Sequence, residues 1–270
     1  MKISIITATY NRPQTLYTIA LKSLLNQTDQ DFEWVIINDG CNRQTREIIA
    51  TLQVPFSLAY AEIEHSSNAF GLCYARNTGL NIATGNLITY LDDDNSLEPE
   101  FIAATKHFFK QYNFVRYSMA IQNRRRDVIR QGKIIRSSKV FLSPNNPNCT
   151  FDELVNQQEI FDSNGFTHYY DSALEWNPNY RIFADYEFIL QCATRYGASK
   201  FKINPQVLVN YIQSSQGVIG CSNYGQWAEE LKQIIHSASS YSLKPNQIEQ
   251  LEQLVRMCTS KANNRPQAFI

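Results

Sequence analysis

Four apolar, β-branched runs stand at the head of the chain: ISIITATY (3–10), FEWVIINDG (32–40), FSLAYAEI (56–63) and NLITYL (86–91). Between them lie stretches that read as helices. In the first, Pro13 sits where a helix's first turn tolerates it, and Leu16, Ile19, Ala20 and Leu24 recur at helical spacing through TLYTIALKSLLNQ. Residues 43–52 form a short helix, and FGLCYARNTGLNIATG (70–85) forms another, closed by Gly85. Strands that alternate with helices build βαβ units, so an α/β fold with a mainly parallel sheet is expected. Such sheets bind ligands beyond the carboxyl ends of their strands. The polar clusters TATYNR, NDG and DDDN fall there.

The second half is less regular. Residues 100–112 read as a helix and YNFVRYSMAIQ (112–122) as a strand, with GKIIRSSKVFL (132–142) as its hairpin partner. SPNNPNCT is a loop of turn residues. YRIFADYEFILQCATRYG (180–197) is a helix with a glycine stop, and FKINPQVLVNYI (201–212) a further strand. Residues 222–239 and 245–261 read as two helices, and the last nine residues as a frayed end.

With 270 residues, 43% of them hydrophobic, the chain can bury a sizeable core, and its formal net charge of zero gives no global drive toward nucleic acid. Six scattered cysteines without a CxxC pair suit reduced thiols, and four histidines without an HxxxH pair indicate no zinc site. Neither a signal peptide nor a membrane span is read, so the expectation is a soluble cytoplasmic domain. No GxGxxG and no GxxxxGK[ST] occurs, and a nucleotide would need its diphosphate held by a metal instead.

Asp92, Asp93 and Asp94 follow the buried run NLITYL without a neighbouring cation. Two carboxylates about 4 Å apart repel by roughly 4 kcal/mol at an effective dielectric near 20. Helix capping does not need three acids, since Asn95 or Ser96 can cap; a hard divalent cation does, because Mg²⁺ or Mn²⁺ prefers oxygen ligands. Asp39 in INDGCN is either a turn residue or an acid facing the same crevice, able to accept a hydrogen bond from a base or ribose. Arg76, in an otherwise small and apolar helix, is either solvated or suited to a phosphate or to one of the acids. Asp185 and Glu187 interrupt the apolar face of the 180–197 helix and read equally as surface charge. Residues 116–139 carry eight Lys or Arg against one Asp, a solvated hairpin or a patch for an anionic acceptor.

Taken jointly, TATYNR after the first strand, an Asp after the second, N-x-x-G-x-x-x-ARN-x-G before the fourth and YLDDDN after it resemble the inverting family 2 type of glycosyltransferase with a GT-A fold. O-antigen and spore-coat type transferases belong to it. The resemblance spans residues 2–212. It implies a Rossmann-like, mainly parallel sheet with helices on both faces and C-terminal helices added. It also implies a nucleotide-diphospho-sugar donor, usually a UDP-sugar, with Mn²⁺ or Mg²⁺. On it, Thr7, Thr9, Tyr10 and Arg12 match the loop around the nucleoside, and Asp39 the acid on uracil or ribose. Arg76 matches the ARN arginine near the nucleotide, Asp92 the first acid of many members, Asp93 the ribose-side acid and Asp94 the carboxylate that reaches the metal. Asp185 matches the catalytic base. The sequence departs from the pattern at Asn38-Asp39, where an acid pair is usual, and at Ala184, where an acid usually precedes the base; Glu187 is the competing carboxylate.

The division implied is residues 1–95 for nucleotide-sugar binding, 96–212 for the acceptor and 213–270 as a C-terminal helical segment. The expected activity is a metal-dependent, inverting transfer of a sugar to an acceptor hydroxyl on a saccharide or lipid-linked saccharide. The QxxRW signature of processive synthases is absent, which favours single transfer. The rivals are a nucleotidyltransferase of related fold and a catalytically inactive nucleotide-sugar-binding protein.

Overall fold

The four leading runs are strands: β1 (Ile3–Tyr10), β2 (Glu33–Asp39), β3 (Ser57–Ile63) and β4 (Leu87–Tyr90). The computed structural model, which describes residues 1–66, 70–156 and 162–264, pairs them in parallel in the order β3–β2–β1–β4. The chain winds outward from β1 in both directions, so the crevice beyond Tyr10 and Tyr90 is the switch point where such sheets bind ligands. Alternation along β1 separates two cores. Ile3 and Ile5 pack with Leu24, Trp34 and Phe101 on one face, and Ile6 packs with Tyr90, Phe188 and Leu231 on the other.

The first helix covers residues 13–25, with Pro13 in its first turn as expected, its end two residues before the expected one and a π-turn over Leu16–Ala20. The helix after β3, Gly71–Ile82, stops at Ala83 rather than at Gly85. Gly85 serves a close approach instead: a Cβ there would lie 2.6 Å from the backbone nitrogen of Ser4. Part of the run read as the approach to this helix, residues 67–69 with Asn68 of the motif, lies outside the described residues.

The second half departs further from expectation. Beyond β5 (Ser96–Leu97) and the helix Phe101–Gln111, β6 spans Tyr117–Arg130, eight residues past its expected end. Its hairpin partner is two strands, β7 (Lys133–Ser137) and β8 (Phe141–Ser143), both antiparallel to it. A short helix, Phe151–Asn156, and β9 (Phe166–Tyr169) have no counterpart in the sequence reading. β9 inserts between β4 and β6, antiparallel to both, so β6 runs parallel to β4 and ends at the same sheet edge. β10 (Phe201–Ser214) then pairs with β6 in parallel, and β5 closes that side.

The late helix is Ala184–Tyr196, followed after β10 by helices Val218–Cys221, Tyr224–His236 and Pro245–Asn264. Leu231, Ile234, Leu251 and Leu254 join the core that holds Phe188, so these helices pack on the sheet domain itself. Of the end expected to fray, residues 265–270 lie outside the described residues. No helix among the described residues is long and apolar enough to cross a membrane.

Candidate active site

β4 is buried along its length, and the chain leaves it directly into Asp92, Asp93 and Asp94. The three acids diverge. Asp93 is fully buried beneath β1, where Thr9 Oγ1 donates to its Oδ2 at 2.7 Å. Arg12, at the start of the first helix, straddles the next two positions: its Nη2 is 2.7 Å from Asp93 Oδ1, an ion contact without hydrogen-bond alignment, and its Nη1 donates to Asp94 Oδ2 at 2.6 Å. Burial pushes the Asp93 carboxyl up to about 7, against the opposing pull of Arg12. Burial raises Asp94 as well, although 32% of its side chain reaches solvent.

Asp92 turns the other way. Asn164 accepts from its backbone N–H at 2.7 Å and donates to its Oδ2 at 2.9 Å, while Arg76 donates to Oδ1 at 3.0 Å. Arg76 is 2% exposed and anything but solvated. Its Nη1 donates to Asp185 Oδ1 at 2.6 Å, its Nη2 also reaches Ser163 Oγ at 2.8 Å, and its guanidinium lies 4.2 Å from the Trp176 ring centre. Burial alone would lower its pKa; Asp185 and Asp92 outweigh that and raise it. The charge is therefore fixed between two acids from different elements.

Asp185 sits in the first turn of the late helix with 26% of its side chain exposed, lining the cleft beside Asp92 and Asp94. Glu187 does not share this position. It is buried, receives the Tyr241 hydroxyl at 2.6 Å and Gln191 Nε2 at 2.9 Å, and burial raises its pKa. Glu187 is thus engaged in packing, whereas Asp185 lines the cleft.

On the other side of Arg12 the cleft widens into a cavity of about 540 Å³ lined by Thr9, Tyr10, Asp39, His65 and Gly71. Gly40 and Cys41 both have positive φ, so the turn read after β2 exists, and Asp39 nonetheless faces the crevice. Asp39 Oδ2 pairs with His65 Nδ1 at 2.8 Å, and the His65 ring stacks on Tyr10 with centres 3.9 Å apart. Asp39 Oδ1 is buried with no hydrogen-bond partner among the described residues. Gly71 is required here, because a Cβ would lie 2.7 Å from Asp39 Oδ2 and 2.9 Å from His65. Two expected residues do not line this cleft: Asp93, fully buried against Thr9 and Arg12, and Thr7, which is buried and accepts from Trp34 Nε1 at 2.9 Å.

The C-terminal segment completes the site. Gly217 and Val218 line both chambers. Glu230 Oε2 accepts the backbone N–H groups of Arg181, Ile182 and Phe183 at 3.1, 2.8 and 2.9 Å, capping the turn that presents Asp185. Sequence reasoning missed Glu230, His65, Ser163 and Asn164. For His65 a signal was present, since it follows β3 at the same sheet edge as the other clusters; the rest carry none.

Among the described residues no three His, Cys, Asp or Glu side chains group as a metal cage. The donor chemistry nevertheless suits a hard cation: oxygen ligands only, raised carboxyl pKa values, and one half-exposed guanidinium serving two acids.

Residues 4–175 match the family model "Glycosyl transferase family 2". The chain is 34% identical over 102 residues to glycosyltransferase GlyA of Streptococcus pneumoniae, covering 37% of this chain and 14% of that protein. It is 32% identical over 96 residues to the GalNAc(5)-diNAcBac-PP-undecaprenol beta-1,3-glucosyltransferase of Campylobacter jejuni, covering 36% and 30%. The chain thus spans less than a third of the length of either relative. The fold is shared with S. aureus TarS 1-349 in complex with UDP, at TM-score 0.67 and 16% identity over 98% of this chain and 72% of that one. It is shared also with the Pyrobaculum calidifontis mannosyltransferase PcManGT in complex with GDP-Man and Mn²⁺, at TM-score 0.56 and 13% identity over 97% and 75%. The mostly parallel sheet, the acids at its switch point and the family match lead to one conclusion: this chain has the GT-A fold and belongs to glycosyl transferase family 2.

Proposed function

We propose that the protein transfers a sugar from a UDP-sugar to an acceptor hydroxyl, with inversion and with Mn²⁺ or Mg²⁺ at Asp94. The observation that carries this reading is a pair of adjoining chambers, Asp39 in one and Asp94, Arg76 and Asp185 in the other, with Arg12 lining both. The nucleoside lies in the 540 Å³ chamber. Asp39 lines this chamber beside His65 and Tyr10, where a carboxylate can accept a hydrogen bond from uracil N3–H or a ribose hydroxyl.

Asp94 and diphosphate oxygens would hold the cation once Arg12, which pairs with Asp94 here, has withdrawn, and Thr9 would keep Asp93 in place beside it. When bound, that cation stabilises charge on the departing diphosphate. Asp185 takes the proton of the acceptor hydroxyl as its oxygen attacks the anomeric carbon. The bond from that carbon to the diphosphate breaks, and its electron pair leaves with the UDP. Arg76 is a positioning residue, binding Asp185 on one arm and Asp92 on the other. Residues 1–95 carry the donor in this reading and 96–212 the acceptor.

Titration calorimetry with UDP, GDP and uridine, with and without Mn²⁺, tests the donor half of the proposal. UDP binding that strengthens with Mn²⁺ and is lost in Asp94→Ala is the expected result. A preference for GDP, or indifference to Mn²⁺, counts against it.

A further inference from the structure

Past Arg124, β6 runs on to Arg130, its residues Arg125–Asp127 still paired with Ile212–Ser214 of β10, and β7 and β8 edge it as an exposed ribbon. It does so at the sheet edge where β4 delivers Asp92, because β9 is antiparallel to both strands. At its base Gln122 donates to Asp162 at 3.0 Å and Arg124 lies over Tyr211, both lining residues of the cleft. The ribbon therefore stands beside the mouth of the site.

Residues 130–142 are exposed without interruption. Arg130, Lys133, Arg136 and Lys139 make no ion pair among the described residues, and no acid occurs between Asp127 and Asp152. Asp127 itself is held by Arg125 at 2.9 Å. Interleaved with these cations are Ile134, Ile135, Val140, Phe141 and Leu142, each 37–60% exposed. Surface cations alone are ordinary. Five large apolar side chains on the same thirteen exposed residues are not: Phe141 has the Arg126 guanidinium 5.3 Å from its ring centre, and the other four forfeit burial in water.

We propose that this ribbon docks the protein on an anionic lipid bilayer, its apolar side chains entering the headgroup–acyl boundary and its free cations facing the lipid phosphates. A bilayer matches both halves of the pattern. A soluble polyanion would engage the cations and leave Ile135, Val140 and Phe141 in water. Docking through the ribbon sets the mouth of the cleft against the membrane surface. The inference concerns where the protein sits and stands whether or not the transfer reading does.

Sedimentation of the full chain with phosphatidylcholine vesicles, with and without phosphatidylglycerol, tests it. The wild type pellets with the anionic vesicles and is released by high salt. Each surface cation is worth roughly five-fold in partitioning, so the triple variant Lys133→Gln, Arg136→Gln, Lys139→Gln loses about a hundred-fold. The double variant Ile135→Ser, Val140→Ser, with every charge kept, also falls by ten-fold or more, at about 0.8 kcal/mol per buried methylene. Both variants keep the UDP affinity of the wild type, which shows that the cleft is intact. A wild type that stays in the supernatant, or an apolar variant that pellets as well as the wild type, overturns the proposal. So does a wild type that elutes as a dimer and becomes monomeric in the apolar variant, for then a second copy covers the ribbon.

Discussion

Arg76 and Asp185, 109 positions apart, are joined by a 2.6 Å charge-assisted hydrogen bond at the mouth of the cleft. The bond aims one carboxylate oxygen at the arginine and leaves the other, in the proposed reaction, for an acceptor hydroxyl. Asp185→Asn keeps size and polarity but cannot take a proton. It is expected to retain UDP and metal binding and to lose turnover by about 10²–10⁴-fold. Glu187→Gln, already occupied by Tyr241 and Gln191, is expected to change turnover far less and stability instead. Paired calorimetry and rate measurements on the two variants separate these roles.

Removing Arg76 tests the scaffold from the other side. Truncating one partner of a buried ion pair typically costs 3–5 kcal/mol, because the remaining charge is stranded. Here Asp92 and Asp185 are each a quarter exposed, which softens the loss. Arg76→Met is expected to cost about 2–4 kcal/mol in urea unfolding. Arg76→Lys should recover part of that stability but little turnover, since an ammonium cannot bridge two acids as a planar fork does.

Arg12 occupies the space in front of Asp93 and Asp94 that a cation needs. Half its side chain is exposed, so it can withdraw. In the absence of nucleotide, Arg12→Gln is expected to bind Mn²⁺ about ten-fold more tightly than the wild type, the equivalent of one charged hydrogen bond no longer given up. Electron paramagnetic resonance titration of free Mn²⁺ reads this directly. Weaker binding in the variant would mean that Arg12 supports the cation site rather than guarding it.

The parts of the site that sequence reveals are those set by local rules. Asp39 and the Asp92–Asp94 run are legible as crevice acids because strand ends are readable, and the switch point follows from strand alternation; Arg12 is legible only through the family resemblance. Arg76 was ambiguous until Trp176, Ser163 and Asp92 closed around it. Asn164 acts on Asp92 across 72 positions, and its strand neighbour β9 is four residues long, too short to show a period. Glu230 looks like any charge on an amphipathic helix. Only the packing of the Tyr224–His236 helix brings it to the turn that precedes the late helix, where its carboxylate meets three N–H donors.

Glu230 is therefore a sharp test of whether the C-terminal segment serves the site. Glu230→Ala leaves three backbone donors without their acceptor, at roughly 1–3 kcal/mol for each that stays dry. A loss of about 2–4 kcal/mol in unfolding free energy is expected, with water satisfying part of the deficit. Turnover should fall more than UDP affinity, because the displaced turn carries Asp185 and not Asp39. Equal losses in both would point to general loosening of the cleft.

His168 gives the fold a specific pH dependence. It is fully buried, its Nδ1 donates to the Tyr169 carbonyl at 2.7 Å, and its Nε2, 3.0 Å away, accepts from the Tyr90 hydroxyl. Protonation would cost the Tyr90 bond and bury a charge, and burial holds the imidazole down to about 4. The unfolded chain takes up the proton near 6.5. As pH falls from about 6.5 to about 4 the unfolded state binds more protons than the native one, so stability drops, by on the order of 3 kcal/mol for this residue. Above about 6.5 the contribution is complete and flat, and below about 4 the loss is complete. His168→Gln preserves a donor and an acceptor without a titrating ring. Urea unfolding across that range should show the wild type losing about 3 kcal/mol more than the variant, after the shared carboxylate titrations cancel. Parallel curves for the two proteins would show that His168 is solvated or protonated in the native state.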